Sequence, residues 1–251
     1  MRTLAVIPAR LGATRLPRKP LRLLAGLPLV VRVWQRVTEM AVAERCVVAT
    51  DSDEVAIAVR AHGAEVVLTR EDHPSGTDRV AEVAARREFS SFEAIVNVQG
   101  DEPFVSAQAV AGATGLVADG AFPLGTAAAR ASRDVLDNPN VVKVVADDRG
   151  SALYFSRAPI PFLRDSADAS TQASRVWQHI GVYAYSRAAL DCWVRLSVHP
   201  LERIERLEQL RPLAAGLRMG VAVIDEPPHP GIDTEDDLAR ANRDWTAITT
   251  G

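Results

Sequence analysis

Four short apolar, β-branched runs recur through the first hundred residues: Leu4 to Ile7, Cys46 to Ala49, Glu65 to Leu68 and Ala94 to Val98. Each reads as a buried strand. The segments between them, Leu29 to Met40, Asp53 to Ala61 and Thr77 to Arg87, have helical length. Their apolar residues fall three and four apart, as at Val55 and Val59, or at Val80, Val83 and Ala84, which is the spacing of one helix face. Strands that alternate with helices pair in parallel through right-handed crossovers, so the expected fold is α/β with an open, mostly parallel, Rossmann-like sheet. Such sheets bind ligands beyond the carboxyl ends of their strands, and the loops there are where chemistry is expected.

The second half has another rhythm. Val141 to Ala146 and Ala152 to Phe155 flank the turn-rich Asp147-Asp148-Arg149-Gly150, which predicts a β-hairpin. Ile180 to Tyr185 and Val221 to Ile224 read as strands, and Arg187 to Leu196, Leu201 to Leu213 and Asp236 to Trp245 as helices. The Ser/Ala/Asp-rich stretch Asp165 to Ser174 reads as a mobile loop. Hairpin and loop together make a small annex, roughly residues 140–185, expected to cover substrate or to form a dimer. No repeat or linker interrupts the 251 residues, which are expected to form a single domain.

Composition narrows the function. A formal charge of −3 leaves no global basic field, which argues against a dedicated nucleic-acid binder, so any anionic ligand must be met by local cations. Cys46 and Cys192 stand apart with no paired motif, so neither a disulfide framework nor a zinc site is expected, and a reducing cytoplasm fits. No run approaches the roughly 18 apolar residues of a membrane span, and no anchor or export signal is expected.

The needed cations stand directly after the first strand. From Pro8 to Lys19 the chain carries Arg10, Arg15, Arg18 and Lys19 in one loop. Neither the dinucleotide glycine fingerprint nor the Walker Gly-Lys-Ser/Thr ending is present. A cluster of this kind suits several phosphate oxygens at once, with Arg18 as its bystander; a solvated basic loop is the plainer alternative. After the fourth strand, Asn97-Val98-Gln99-Gly100-Asp101-Glu102-Pro103 sets Asp101 at the same sheet edge, where it can serve a turn or hold the magnesium of a nucleoside triphosphate. Asp233 offers a second carboxylate, although Thr234 followed by Asp237 also resembles a capping box. Ser75-Gly76-Thr77-Asp78-Arg79 opens a helix, either as an ordinary cap or as backbone that reads a base or ribose. His179, Tyr183 and Tyr185 share one strand face, with His179 as a structural histidine by default. Leu207-Glu208-Gln209-Leu210-Arg211 reads as the solvated face of a helix.

Taken in order, these segments resemble the 3-deoxy-manno-octulosonate cytidylyltransferases, or CMP-Kdo synthetases, over nearly the whole chain. The resemblance rests on Ile7-Pro8-Ala9-Arg10, Thr14-Arg15-Leu16-Pro17, Lys19-Pro20-Leu21, Val48-Ala49-Thr50-Asp51, Ser75 to Arg79 and Val96 to Pro103. It continues through Ala152 to Arg157, His179 to Tyr185, Leu207 to Arg211 and Gly231 to Thr234. It implies a nucleotide-diphosphosugar-transferase-like fold and a homodimer that uses CTP, Kdo and Mg²⁺ for lipopolysaccharide biosynthesis. On that reading Arg10, Arg15 and Lys19 hold the triphosphate, Ser75, Gly76, Thr77 and Gln99 surround the cytidine, and Ala9 also contacts the nucleotide. Asp101 and Asp233 hold magnesium. Arg79, Arg164, Gln178, His179, Tyr185, Glu208 and Gln209 are candidates for the sugar acid. The implied reaction is in-line attack of the anomeric hydroxyl on the α-phosphorus, with Lys19, Arg10 and Asp101 carrying most of the rate. A sialic acid or an amino-substituted Kdo poses the same problem to such a site and stays open as the sugar. A non-catalytic nucleotide-binding regulator is the alternative of a different class.

Overall fold

The computed structural model describes residues 1–12, 15–130, 135–225 and 228–250. Thr14 of the basic loop lies outside the described residues, as does Ala13 beside it. In chain order the elements are β1 (Thr3–Ala9), β2 (Leu23–Leu24), β3 (Leu27–Pro28), α1 (Leu29–Glu39), β4 (Arg45–Thr50), α2 (Asp53–Arg60), β5 (Glu65–Leu68), α3 (Gly76–Ala85), β6 (Ala94–Asn97) and α4 (Ala107–Ala118). They continue as β7 (Leu124–Arg130), β8 (Lys143–Ala146), β9 (Ala152–Ser156), α5 (Ala169–Arg175), β10 (Trp177–Ser186), α6 (Arg187–Arg195), α7 (Pro200–Glu205), α8 (Leu210–Ala214), β11 (Met219–Ile224) and α9 (Glu235–Thr250). These fall into two compact units, one of Met1–Ala107 with His229–Gly251 and one of Gln108–Pro228. The stretch read as an annex lies inside the second. No helix among the described residues is long and apolar enough to cross a membrane.

In the first unit β6, β1, β4 and β5 pair in that order, all parallel. The apolar runs follow from this, because helices cover both faces of a parallel sheet. Leu4, Ala5, Val6 and Ile7 of β1 and Ile95 and Val96 of β6 are all fully buried. Helix α1 turns Leu29, Val30, Val33 and Val37 inward, and α2 buries Val55, Ala56 and Val59 beneath a Ser52 cap that accepts from the Val55 amide. Strand order reverses at β1, with β4 on one side and β6 on the other, which puts the switch point of the sheet at the carboxyl ends of β1 and β6. A second cluster brings the chain terminus back to this edge. Leu16 is fully buried with Leu24, Leu29, Ile232, Leu238 and Ala241. Burying a leucine contributes roughly 1.5–3 kcal/mol, which fastens the middle of the basic loop and the approach to α9 to one apolar knot.

In the second unit β7 is central, parallel to β11 and antiparallel to β10. The hairpin forms as expected, with β8 antiparallel to β9 and also pairing with β10. Three expectations are corrected. Asp165 to Ser174 is a 3₁₀ turn, Ser166–Asp168, followed by α5, with Asp165 capping the turn by accepting from the Ala167 amide. Leu201 to Leu213 is two short helices, because Arg206 takes a left-handed φ of 56° between them. Glu208 to Arg211 is no solvated face: Gln209 and Arg211 are buried, and the Arg211 fork donates to both Glu202 oxygens at 2.8 and 2.7 Å.

That pair is nearly dry, and a buried carboxylate that loses its partner costs about 3–5 kcal/mol. Arg211→Ala is therefore expected to lower the melting temperature by several degrees. Arg240→Ala breaks a pair whose arginine is half in solvent, and thermal melts of the two variants should place its cost below about 1 kcal/mol.

Candidate functional site

Strand β1 ends at Ala9 and β6 at Asn97, and the loops that follow touch. A Cβ placed on Gly100 would lie 2.7 Å from the Pro8 carbonyl oxygen, so only glycine lets the second loop pass this close to the first. Beyond this crossing is a cavity of about 430 Å³ within the first unit. Ala9, Arg10, Arg15, Lys19, Ser75, Gly76, Arg79, Gln99, Asp101 and Asp233 all line it. Thr77 sits in the first turn of α3 and is buried. The expected nucleotide and metal residues thus converge from four separate segments. Arg18 stays outside, ion-paired at the surface to Glu54.

The charged groups of the cavity are organised around Lys19. Its Nζ donates to Asp101 Oδ2 at 2.5 Å and to Asp233 Oδ1 at 2.7 Å, and the Arg15 guanidinium reaches Asp233 Oδ2 at 3.0 Å. Burial alone would lower the Lys19 pKa; the two aspartates outweigh it and raise the value. Asp233 is placed by the capping box foreseen at α9. Asp237 Oδ2 accepts from the Asp233 amide and from the amide and hydroxyl of Thr234, whose hydroxyl accepts from the Asp237 amide. Two carboxylates already converge on one cation. This is the donor set that Mg²⁺ takes when phosphate oxygens and water complete its octahedron, so these residues fit that ion. Among the described residues no group of three or more His, Cys, Asp or Glu side chains could hold a metal ion by itself.

Two lining features differ from expectation. Arg79, a candidate for the sugar, is buried with its fork engaged: one nitrogen donates to Asp51 at 2.7 Å, the other to the Thr69 hydroxyl and the Arg70 carbonyl. It ties α3 to the loops after β4 and β5. His73, which the sequence reading passed over, is a buried wall of the cavity with Nε2 2.5 Å from Glu82. Its position two residues before Ser75 was the available signal. Glu102 was also missed; burial, and then the charge of Asp101, push its carboxyl up to about 8. At α3 the Ser75 hydroxyl accepts from the Asp78 amide, so the ordinary cap is present.

The remaining sugar candidates belong to the second unit. His179, Tyr183 and Tyr185 form an unbroken aromatic row, with ring centroids 5.6 and 6.3 Å apart, closed at one end by Trp193. Thr126 spends its hydroxyl proton on the Val182 carbonyl at 2.8 Å, so His179 Nε2, at 2.9 Å, carries a proton and donates to the Thr126 oxygen. The histidine is thereby satisfied. Gln178 precedes it on β10 and pairs with Ala129 and Lys143. Glu208 lies electrostatically close to Tyr183, and Gln209 is buried at the start of α8. Arg164 is separate: it lines a hollow of about 510 Å³ with Phe162, Gln172 and Trp177, and none of the other sugar candidates lines that hollow.

A parallel α/β sheet whose switch-point cavity gathers cations beside paired carboxylates is the setting of a nucleotidyltransferase, and the comparisons give that class. The chain matches the family described as Cytidylyltransferase over residues 4–219. It is 64% identical over 248 residues to the 3-deoxy-manno-octulosonate cytidylyltransferase of Gemmatimonas aurantiaca, covering 99% of this chain and 96% of that one. It is 47% identical over 247 residues to the Herminiimonas arsenicoxydans protein of the same name, covering 96% and 98%. A solved structure of CMP:2-keto-3-deoxy-manno-octonic acid synthetase complexed with CTP superposes with a TM-score of 0.90 at 36% identity, covering 98% of this chain and 99% of that one. A cytidylyltransferase from Leptospira borgpetersenii, 15% identical at a TM-score of 0.62, shares the fold; the match covers 98% of this chain and 87% of that one. The chain belongs to the 3-deoxy-manno-octulosonate cytidylyltransferase family.

Burial lowers the His179 imidazole to about 3. As pH falls through 6.5 the unfolded chain takes up a proton that the folded chain refuses, so stability present above 6.5 is lost on acidification toward 3. Chemical denaturation of wild type against His179→Gln should therefore show wild type losing up to about 1.4 kcal/mol per pH unit relative to the variant below pH 6.

Proposed function

We propose that the protein transfers CMP from CTP to the anomeric hydroxyl of Kdo, releasing pyrophosphate. The observation that carries this reading is one cavity lined both by Arg10, Arg15 and Lys19 and by Asp101 and Asp233, with Ser75, Gly76 and Gln99 on its wall. The first three residues take the triphosphate, and Arg10 and Arg15 offer planar forks suited to phosphate oxygens. Ser75, Gly76, Thr77 and Gln99 surround the cytidine, where the capped first turn of α3 presents backbone amides. Asp101 and Asp233 would hold Mg²⁺, which when bound would supply charge neutralisation to the phosphates.

In the chemical step the sugar hydroxyl oxygen bonds to the α-phosphorus, the bond from that phosphorus to the bridging oxygen of the β-phosphate breaks, and the hydroxyl proton leaves to solvent. No covalent enzyme intermediate is needed. The contribution of this chain is placement and charge neutralisation, with Lys19 and Arg10 opposing the charge that grows on the departing pyrophosphate. Arg79 acts by fixing the start of α3, given its engagement with Asp51. Gln178, His179, Tyr185, Glu208 and Gln209 are assigned to the sugar acid, while Arg164 lines a hollow apart from them. His179 meets the sugar as a neutral acceptor through Nδ1, since its one proton is on Nε2 and is donated to Thr126. A cytoplasmic location belongs to the same reading, in keeping with the two free cysteines.

Pyrophosphate release tested with four nucleotides should proceed with CTP and depend on added Kdo; activity with UTP or GTP instead would refute the assignment. Sialic acid and an amino-substituted Kdo tested beside Kdo decide the sugar. Asp101→Ala should lower kcat by at least a hundredfold, about 2.7 kcal/mol. A homodimer is also proposed, and Phe162, 81% exposed in the second unit, is the residue whose substitution tests it. Light scattering should return twice the chain mass, and Phe162→Asp should shift it toward the single chain.

A further inference from the structure

The groups assigned to phosphate and the groups assigned to metal are bound to each other. Lys19 Nζ stands within 2.7 Å of both aspartates, and its side chain is only 11% exposed. Arg15 holds the second Asp233 oxygen at 3.0 Å. A divalent cation approaching Asp101 and Asp233 meets an ammonium already in its place. Displacing it alone would leave a largely buried positive charge without a counterion, a costly arrangement. A triphosphate arriving alone meets the mirror problem, since the cations it needs are occupied and the carboxylates beside them repel it. Arriving together, the two ligands exchange partners: phosphate oxygens take Lys19 and Arg15 while the metal takes the aspartates, and every charge stays paired.

We propose that Lys19 is a resident cation that blocks the metal site until a triphosphate draws it away, so that nucleotide and metal each raise the other's affinity. The inference rests on the assignment of Asp101 and Asp233 to Mg²⁺ and of Lys19 to CTP. Linkage makes the coupling reciprocal: the factor by which CTP tightens metal binding is the factor by which metal tightens CTP binding. Lys19 thus has two roles, and removing it has opposite effects on the two ligands. Without Lys19 the triphosphate binds more weakly, while metal alone binds more tightly.

The test uses Mn²⁺ alone as probe, its free concentration read by electron paramagnetic resonance on the intact protein with no nucleotide present. Lys19→Met is expected to bind Mn²⁺ at least about tenfold more tightly than wild type. Asp233→Asn in that background should abolish the gain. Arg15→Gln alters a side chain that is 68% exposed, so it should fold normally and gain affinity in the same direction by a smaller factor. A folded Lys19→Met, or Arg15→Gln if the former does not fold, with Mn²⁺ affinity equal to or below wild type overturns the proposal. A parallel titration of wild type, Asp101→Asn and Asp233→Asn with CTP and Mn²⁺ in the absence of sugar separates the two levels. Weaker retention of Mn²⁺ by the asparagine variants keeps the metal assignment even where the exchange fails. Unchanged retention removes the metal assignment, and the exchange with it.

Discussion

The approach of Gly100 to the Pro8 carbonyl fixes how far apart the ends of β1 and β6 can be, and everything chemical in the first unit is built outward from that crossing. A parallel sheet offers one edge where ligands collect, and the reversal of strand order at β1 puts the switch point there. With no side chain at residue 100, the Gln99-Gly100-Asp101 turn lies against the first loop and brings Asp101 to within 2.5 Å of the Lys19 amine. A methyl group at that position would have to displace backbone, and the displacement would be passed directly to the Lys19–Asp101 distance.

Leu16 does for the basic loop what Gly100 does for the strand ends. Four cations in a free loop would repel one another and point into solvent. Leu16, fully buried between Arg15 and Lys19, holds the loop to Ile232 and Leu238 and so to the segment that carries Asp233. Apolar burial is the non-directional force here, and the capping box of Thr234 and Asp237 supplies direction. The terminal helix therefore serves the site by holding one carboxylate where the loop can reach it.

How much of this was legible follows from which forces are local. Strands β1, β4, β5 and β6 are apolar because a parallel sheet is buried on both faces, and that pattern is written in consecutive residues. Strand β7 was invisible because Leu-Gly-Thr-Ala-Ala-Ala-Arg has the composition of a helix or loop, and only pairing with β10 on one side and β11 on the other makes it a strand. The break at Arg206 left no glycine or proline to mark it. Among the site residues, identities were readable but partners were not: that Arg79 is consumed by Asp51, or that Lys19 sits between Asp101 and Asp233, depends on contacts across 28, 82 and 214 positions. Periodicity carries no information about contacts at such range. His73 and Glu102 were overlooked for the opposite reason, standing in plain view beside motifs that drew attention to their neighbours.

Charge balance explains why Glu102 can stand beside this site at all. Arg10, Arg15 and Lys19 face Asp101 and Asp233, which leaves a small positive excess in a protein whose formal charge is −3. On the proposed assignment the ligand, a triphosphate with one bound Mg²⁺, is still an anion, and that excess would favour its entry. A third ionised carboxylate adjacent to Asp101 would cancel the excess. Burial instead pushes Glu102 up to about 8, so that near neutral pH it is mostly protonated and adds little negative charge. The small positive excess of this pocket thus depends on one carboxyl group being kept dry as much as on the cations themselves.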